Sequence, residues 1–116
     1  MRTPRARFMY QVRLASRVPL TTKQDCRYVC TILMQVVREC AYTYFGVAPT
    51  ALTDEEFITF LHTRSAREVD EQFIVLADAI HAETSLLKFA NATVPPERIQ
   101  HHLAMMVAYL ETSQEK

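Results

Sequence analysis

Residues 22–46 read TKQDCRYVCTILMQVVRECAYTYFG, and this stretch decides the fold class. Its apolar residues recur every three or four positions, the spacing that places side chains on one face of an α-helix. Thr21 or Thr22 can cap the helix, and Asp25 suits its positive N-terminal end. Gly46 can adopt the left-handed conformation that ends it. The pattern predicts a helix over about 22–45, with an apolar face made of Cys26, Val29, Cys30, Leu33, Val36, Val37, Cys40 and Tyr44.

Three more helical segments follow. Thr53–Glu56 is a capping box that opens a short helix over about 54–63. Ser65–Glu68 is a second capping box, and it opens the longest predicted helix, over about 66–91, which Asn91 can cap. Pro95 and Pro96 precede a last helix over about 97–112. The residues predicted to face the core from the last two helices are Val69, Phe73, Leu76, Ile80, Leu87, Ile99, Leu103, Met106 and Leu110.

The short connections make consecutive helices antiparallel neighbours. The chain has 116 residues, of which 49% are hydrophobic and 22% charged, so it suits one folded domain and not a disordered chain. A single glycine argues against glycine-rich phosphate loops and tight β-hairpins. We therefore predict an all-α fold: a small antiparallel bundle of about four helices over residues 21–116, with the short helix packed across one end.

A basic segment precedes the predicted bundle. Residues 1–23 contain five arginines, one lysine and no acid, whereas residues 24–116 contain seven basic and thirteen acidic residues. We interpret residues 1–20 as a basic N-terminal arm. Its arginines are the candidate contacts to a partner or to lipid: Arg2, Arg5, Arg7, Arg13 and Arg17.

Several interpretations of this arm stay open. Arginine-rich, acid-free composition is typical of mitochondrial transit peptides, and also of basic segments held against anionic lipid. A partly ordered, solvated arm is the simplest interpretation. In the remaining alternative the segment is not detachable, because Phe8, Tyr10, Val12 and Leu14 form a strand or pack on the bundle.

The candidate catalytic and metal-ligating residues form no recognisable site. The three cysteines, Cys26, Cys30 and Cys40, are an odd number and fit small buried residues in a reducing compartment. His101 and His102 are adjacent in sequence, so they point about 100° apart on a helix and do not chelate one ion together. We predict no enzyme activity and no cofactor. Because residues 24–116 are acidic overall, we also predict no sequence-specific nucleic-acid binding.

The order of segments resembles a known family. The sequence runs from AYTYFGVAPTALT (41–53) through DEEFITFL (54–61) to LLKFANATV (86–94). Over about residues 31–111 it resembles the C-terminal helical domain of BatD-type aerotolerance proteins and related membrane-anchored partners of MoxR ATPases. Residues 87–90 occupy the place of that family's ARYA motif, with Lys88 in place of arginine and Phe89 in place of tyrosine. The upstream β-domains and transmembrane helix of that family are missing from these 116 residues.

The resemblance implies a soluble fragment, or a stand-alone relative, of a membrane-anchored adaptor at the cytoplasmic face of a membrane. We predict a non-catalytic helical module that binds protein partners in a larger assembly, with the arm on a partner or an anionic membrane surface. One alternative is an accessory subunit of a mitochondrial membrane or ribosomal complex. Another is a helical enzyme or metal-binding protein that uses His81 with Glu83 or Asp78.

Overall fold

The computed structural model describes residues 3–47, 52–63, 69–89 and 92–112. Within these ranges the chain forms five helices and no strand: α1 (Pro4–Ser16), α2 (Lys23–Phe45), α3 (Asp54–Thr63), α4 (Glu71–Lys88) and α5 (Pro96–Thr112). The predicted all-helical class is confirmed, and the predicted count of about four helices was one too low. None of these five helices combines the length and the apolar character needed to cross a bilayer.

The central helix, α2, has the ends predicted from its sequence. The Asp25 amide donates to Thr22 Oγ1 at 3.0 Å, and the Thr22 amide donates to Asp25 Oδ2 at 3.1 Å, which completes a capping box. Gly46 has a φ of 70°, in the left-handed region that a side chain would strain, and its amide closes the helix on Tyr42. The helix packs against α1, α4 and α5, so it forms the middle of the bundle.

The short helix α3 is attached at both ends. Its capping box is confirmed, because the Thr53 amide donates to Glu56 Oε1 at 2.8 Å and the Glu56 amide donates to Thr53 Oγ1 at 3.1 Å. Arg38 of α2 donates to Asp54 Oδ1 at 3.0 Å and to the Leu52 carbonyl at 2.8 Å, which fixes the start of α3 against α2. The rest of α3 packs on α4.

The helix predicted to be longest is shorter than expected. α4 begins at Glu71 with Asp70 as its cap, whose carboxylate accepts from the Gln72 amide at 3.1 Å. The longest described helix is instead α2, with 23 residues against 18 in α4. The predicted capping box Ser65–Glu68 and the predicted cap Asn91 lie outside the described residues. Helix α5 starts one residue earlier than predicted, at Pro96, a position that a proline can occupy without losing a hydrogen bond.

The N-terminal segment packs in the bundle, so the described residues do not confirm a separate arm. Thr3 caps α1 by accepting from the Ala6 amide at 3.1 Å, and Pro4 occupies the first turn. Phe8, Val12 and Ala15 are fully buried, and α1 packs against α2 and α5. Burial follows the helical spacing of these three residues and not the strand alternation considered above, since Tyr10 and Leu14 are exposed.

One hydrophobic core joins all five helices. Every residue predicted to face inward from the last two helices is buried, and Phe73 lies near its centre with its ring 5.2 Å from that of Phe45 and 5.5 Å from that of Tyr109. Phe8 joins α1 to this core through an edge-to-face contact with Tyr44, with ring centroids 5.9 Å apart. The result is a bundle with one continuous interior, and its functional features lie on the surface or at the rim of that interior.

Candidate functional site

The side of α1 that faces away from the core carries most of the predicted contact residues. Residues 7, 10, 14 and 17 are spaced three, four and three apart, which puts them on one side of the helix. We call this surface the α1 outer face and define it as Arg7, Tyr10, Arg13, Leu14 and Arg17, all of which are exposed. Tyr10 is 51% exposed and Leu14 is 45% exposed, so two large apolar side chains lie among three arginines.

The α1 outer face keeps its positive charge within the described part of the chain. No acid occurs between residues 1 and 24, and neither Arg13 nor Arg17 forms an ion pair with a described residue. The Arg7 guanidinium carbon lies 5.1 Å from the centroid of the Phe8 ring. Of the other two predicted contacts, Arg5 is half-buried and Arg2 lies outside the described residues.

A groove of about 680 Å³ runs beside the α1 outer face, between α1 and the end of α5. Arg5, Met9, Tyr10 and Arg13 line it from α1, and Glu111 lines it from α5. Since α1 is held by its buried side, the arginines around this groove are presented by a fixed helix. Such a surface can attract an acidic group, because the helix that carries the arginines is already ordered before binding.

A second polar feature, the Glu83 cluster, consists of Glu83, Arg98 and His102 at the contact of α4 with α5. Arg98 donates to the Glu83 carboxylate twice, from Nε to Oε1 at 3.1 Å and from Nη2 to Oε2 at 2.8 Å. His102 Nε2 lies 2.9 Å from Glu83 Oε1 and donates to it, because a carboxylate can only accept. His102 Nδ1 is buried without a hydrogen-bond partner among the described atoms. The cluster satisfies a buried carboxylate and ties the two helices together.

The structure does not bring together the residues considered above for a metal site or an enzyme. His81 Nε2 lies 3.4 Å from Ser85 Oγ in its own helix, and Asp78 pairs with His62 of α3 at 2.9 Å. Glu83 pairs instead with Arg98 and His102. The described ranges contain no group of three or more His, Cys, Asp or Glu side chains arranged to hold an ion.

The three cysteines are buried thiols of α2 and form no disulfide. Burial, together with the smaller effect of the nearby Glu83 carboxylate, raises the pKa of Cys30 to about 11. Burial also raises the pKa of Cys40 and, to a smaller extent, that of Cys26. A thiol with a raised pKa is a poor nucleophile at neutral pH, which fits packing and not catalysis.

Sequence reasoning missed the Glu83 cluster, although it placed all three residues on helices. The spacing within a helix identifies neighbours three or four positions away, whereas Glu83 finds its partners 15 and 19 positions later, across a helix connection. The one available signal was Glu83 itself, an acid between Ile80 and Leu87 on the buried side of α4.

Comparison of the chain with protein-family models, with curated proteins and with solved structures finds no match.

Proposed function

We propose that this protein is a non-catalytic helical interaction module that docks to a larger assembly through the α1 outer face. The observation that carries the proposal is the division of α1 into two sides. One side places Phe8, Val12 and Ala15 in the core, and the other exposes three arginines together with Tyr10 and Leu14. A surface held in this way binds without first having to be ordered, which lowers the entropic cost of docking.

An acidic protein surface is the partner that this composition fits best. The basic residues of α1 are all arginines, and arginine pairs with carboxylates through two parallel hydrogen bonds in a way that lysine cannot. Arginine and tyrosine are also the residue types enriched in protein interfaces and in their energetic centres. An anionic membrane fits less well, because each arginine gains only about 1 kcal/mol near its surface, and Tyr10 and Leu14 offer little apolar surface to insert.

The resemblance to BatD-type domains makes a membrane-anchored MoxR-type system the first setting to test. In that setting the module acts as an adaptor at the cytoplasmic face of the membrane. An accessory subunit of a mitochondrial or ribosomal complex would use the same α1 outer face. No cofactor, metal or sequence-specific nucleic acid enters the proposal.

Capture of partners by charge-reversed variants tests this function. The double variant Arg13→Glu/Arg17→Glu reverses the α1 outer face. Its matched control, Arg27→Glu/Lys88→Glu, reverses two exposed charges on α2 and α4. Captured proteins are quantified by mass spectrometry at about 0.1 M salt, where charges act over about 10 Å, and at about 1 M, where they act over about 3 Å.

We expect the control to capture partners as the wild type does at the lower salt concentration, and the α1 variant to retain less than about a tenth of them. High salt should weaken capture by the wild type. Equal capture by all three proteins would contradict the proposal. Binding of the wild type to anionic vesicles without capture of a protein would replace the protein partner by a membrane.

A further inference from the structure

A second groove, of about 480 Å³, lies between α4 and α5 at the opposite end of these helices from the Glu83 cluster. We call it the α4–α5 groove. Val75 and Leu76 line it from α4, and Met105, Ala108 and Tyr109 line it from α5. Val75 is 57% exposed, so its side chain adds to the accessible apolar surface of the groove. This apolar floor is a surface that a partner could cover.

The dimensions of the α4–α5 groove fit one side of another helix. Its lining from α5 extends from Met105 to Thr112, which is two helical turns and about 11 Å. Two adjacent helices with an apolar floor between them are a common receptor for an amphipathic helix, which inserts side chains spaced three or four positions apart. The methionine in the floor can adjust to the inserted side chains.

The charges around the α4–α5 groove select a basic helix. Glu71 lines the groove, and Asp70 precedes it in the chain. Residues 69–80 and 103–112 contain no lysine and no arginine. A helix with arginines flanking its apolar residues would therefore meet acids at the rim, and an acidic helix would be repelled.

The chain itself carries a helix of this kind. On the α1 outer face, Tyr10 and Leu14 are four positions apart, the spacing of two anchors on one side of a helix, with arginines at 7, 13 and 17 around them. Because the opposite side of α1 is buried in its own bundle, this face points away from that bundle and cannot enter the groove of the same copy. We propose that the α1 outer face of one copy docks into the α4–α5 groove of a second copy.

The proposed contact joins two different surfaces, so copies associate head to tail. Charge attraction contributes to it, and raising the salt concentration should therefore weaken it. The inference rests on the proposed function in one respect: both assume that the exposed α1 outer face is a binding surface. It is tested on the purified protein alone, whereas the proposed function is tested by capture of a partner.

Sedimentation velocity of the full chain over a range of concentrations, at low and at high salt, measures this association. Arg13→Glu disables the α1 outer face, and Glu71→Arg disables the groove. Their matched controls are Arg27→Glu on α2 and Glu97→Arg, which lies in the first turn of α5 as Glu71 lies in the first turn of α4. Circular dichroism verifies that every variant is folded.

At low salt we expect the wild type and both controls to sediment increasingly faster as concentration rises, and each disabled variant to remain monomeric. Mixing the two disabled variants should restore association as a 1:1 pair, because the intact α1 outer face of Glu71→Arg meets the intact groove of Arg13→Glu. High salt should dissociate the wild type.

A wild type that stays monomeric at low salt would overturn the inference and leave the groove to a basic helix of another protein. Association that persists in both disabled variants, or that is not restored by mixing them, would overturn it as well. Glu71→Arg also separates the two proposals, because it should lose self-association and keep capture of the partner. Loss of capture in Arg13→Glu/Arg17→Glu alone would support the proposed function without supporting head-to-tail docking.

Discussion

Arg98 and Glu83 are held together by two parallel hydrogen bonds, of 3.1 and 2.8 Å, although one side chain is 56% exposed and the other only 3%. The two charged groups therefore differ in their access to solvent: water can hydrate the arginine without its partner, but it cannot hydrate the buried carboxylate. Its contribution to the free energy of unfolding should depend on which partner is removed.

Arg98→Ala should be the more damaging change of this pair. It leaves the buried carboxylate with His102 alone, and we expect the free energy of unfolding to fall by about 3 kcal/mol, the lower end of the range for breaking a buried pair. Glu83→Gln keeps the shape and removes the charge, while Arg98 turns to solvent, so a loss of about 1–2 kcal/mol is expected. Urea unfolding measures both, with Arg27→Ala as a surface control. A larger loss for Glu83→Gln than for Arg98→Ala would show that the arginine does not stabilise the carboxylate.

The buried side of α1 should contribute strongly to stability. Phe8→Ala removes a fully buried ring that contacts Tyr44, so we expect a loss of about 3–5 kcal/mol. Leu14→Ala, on the α1 outer face, should cost less than about 1 kcal/mol. Deletion of residues 1–18 should likewise lower the melting temperature by many degrees. Unchanged melting after this deletion would restore the interpretation of a detachable arm.

Local signals predicted the middle of the fold well, and the reasons are specific. In α2, the cap at Thr22, the stop at Gly46 and the apolar face between them agree, so local preference and packing point to one answer. The same agreement held for α3. In α4 the apolar side was predicted and the start was not, because Asp70 caps the helix two residues after the predicted capping box ends.

Helix α1 was missed for a different reason. Its buried stripe consists of only Phe8, Val12 and Ala15, and the arginines between them suggested mutual repulsion and a solvated segment. All the arginines of residues 7–17 lie on the exposed side, where water screens them, so burial of three apolar residues decides the structure. The sequence thus identified the arginines as candidate contacts. It did not predict that a packed helix would hold them.

Phe73, near the centre of the core, should contribute strongly to the free energy of unfolding. Phe73→Ala removes ring contacts to both Phe45 and Tyr109, and we expect it to cost about 3–5 kcal/mol in urea unfolding. The neighbouring exposed residue Val75 provides the control, since Val75→Ala should cost less than about 1 kcal/mol. Equal effects of the two substitutions would mean that the buried side of α4 has been misassigned.

The cysteines should react with a thiol reagent only after unfolding. In the native protein at pH 8, Cys30 and Cys40 should stay unmodified because burial raises the pKa of both thiols, and Cys26 should react first because it is the least buried. In concentrated urea all three should react at once. Mass spectrometry after timed labelling measures the order, and fast native labelling of Cys40 would contradict the packing of α2.

The raised pKa of Cys30 also predicts a pH dependence of stability. The folded thiol has a pKa of about 11 against an ordinary value of 9.0, so the folded state holds the proton more tightly than the unfolded state. This contribution is fully present below pH 9 and is lost as the pH rises towards 11. The urea concentration at the unfolding midpoint should therefore be lower at pH 10 than at pH 8. This decrease should be smaller in Cys30→Ala. An identical fall in the variant would assign the effect to other groups.

Hydrogen exchange of the purified chain tests the central claim, that α1 is a fixed part of the bundle whose other side is presented for docking. The first backbone hydrogen bond of α1 joins the Arg7 amide to the Thr3 carbonyl at 3.1 Å. We predict that the amides from Phe8 to Ala15 exchange slowly, with protection comparable to that of the middle of α2. Exchange of these amides at the rate of an unfolded peptide, while α2 and α5 remain protected, would contradict the account.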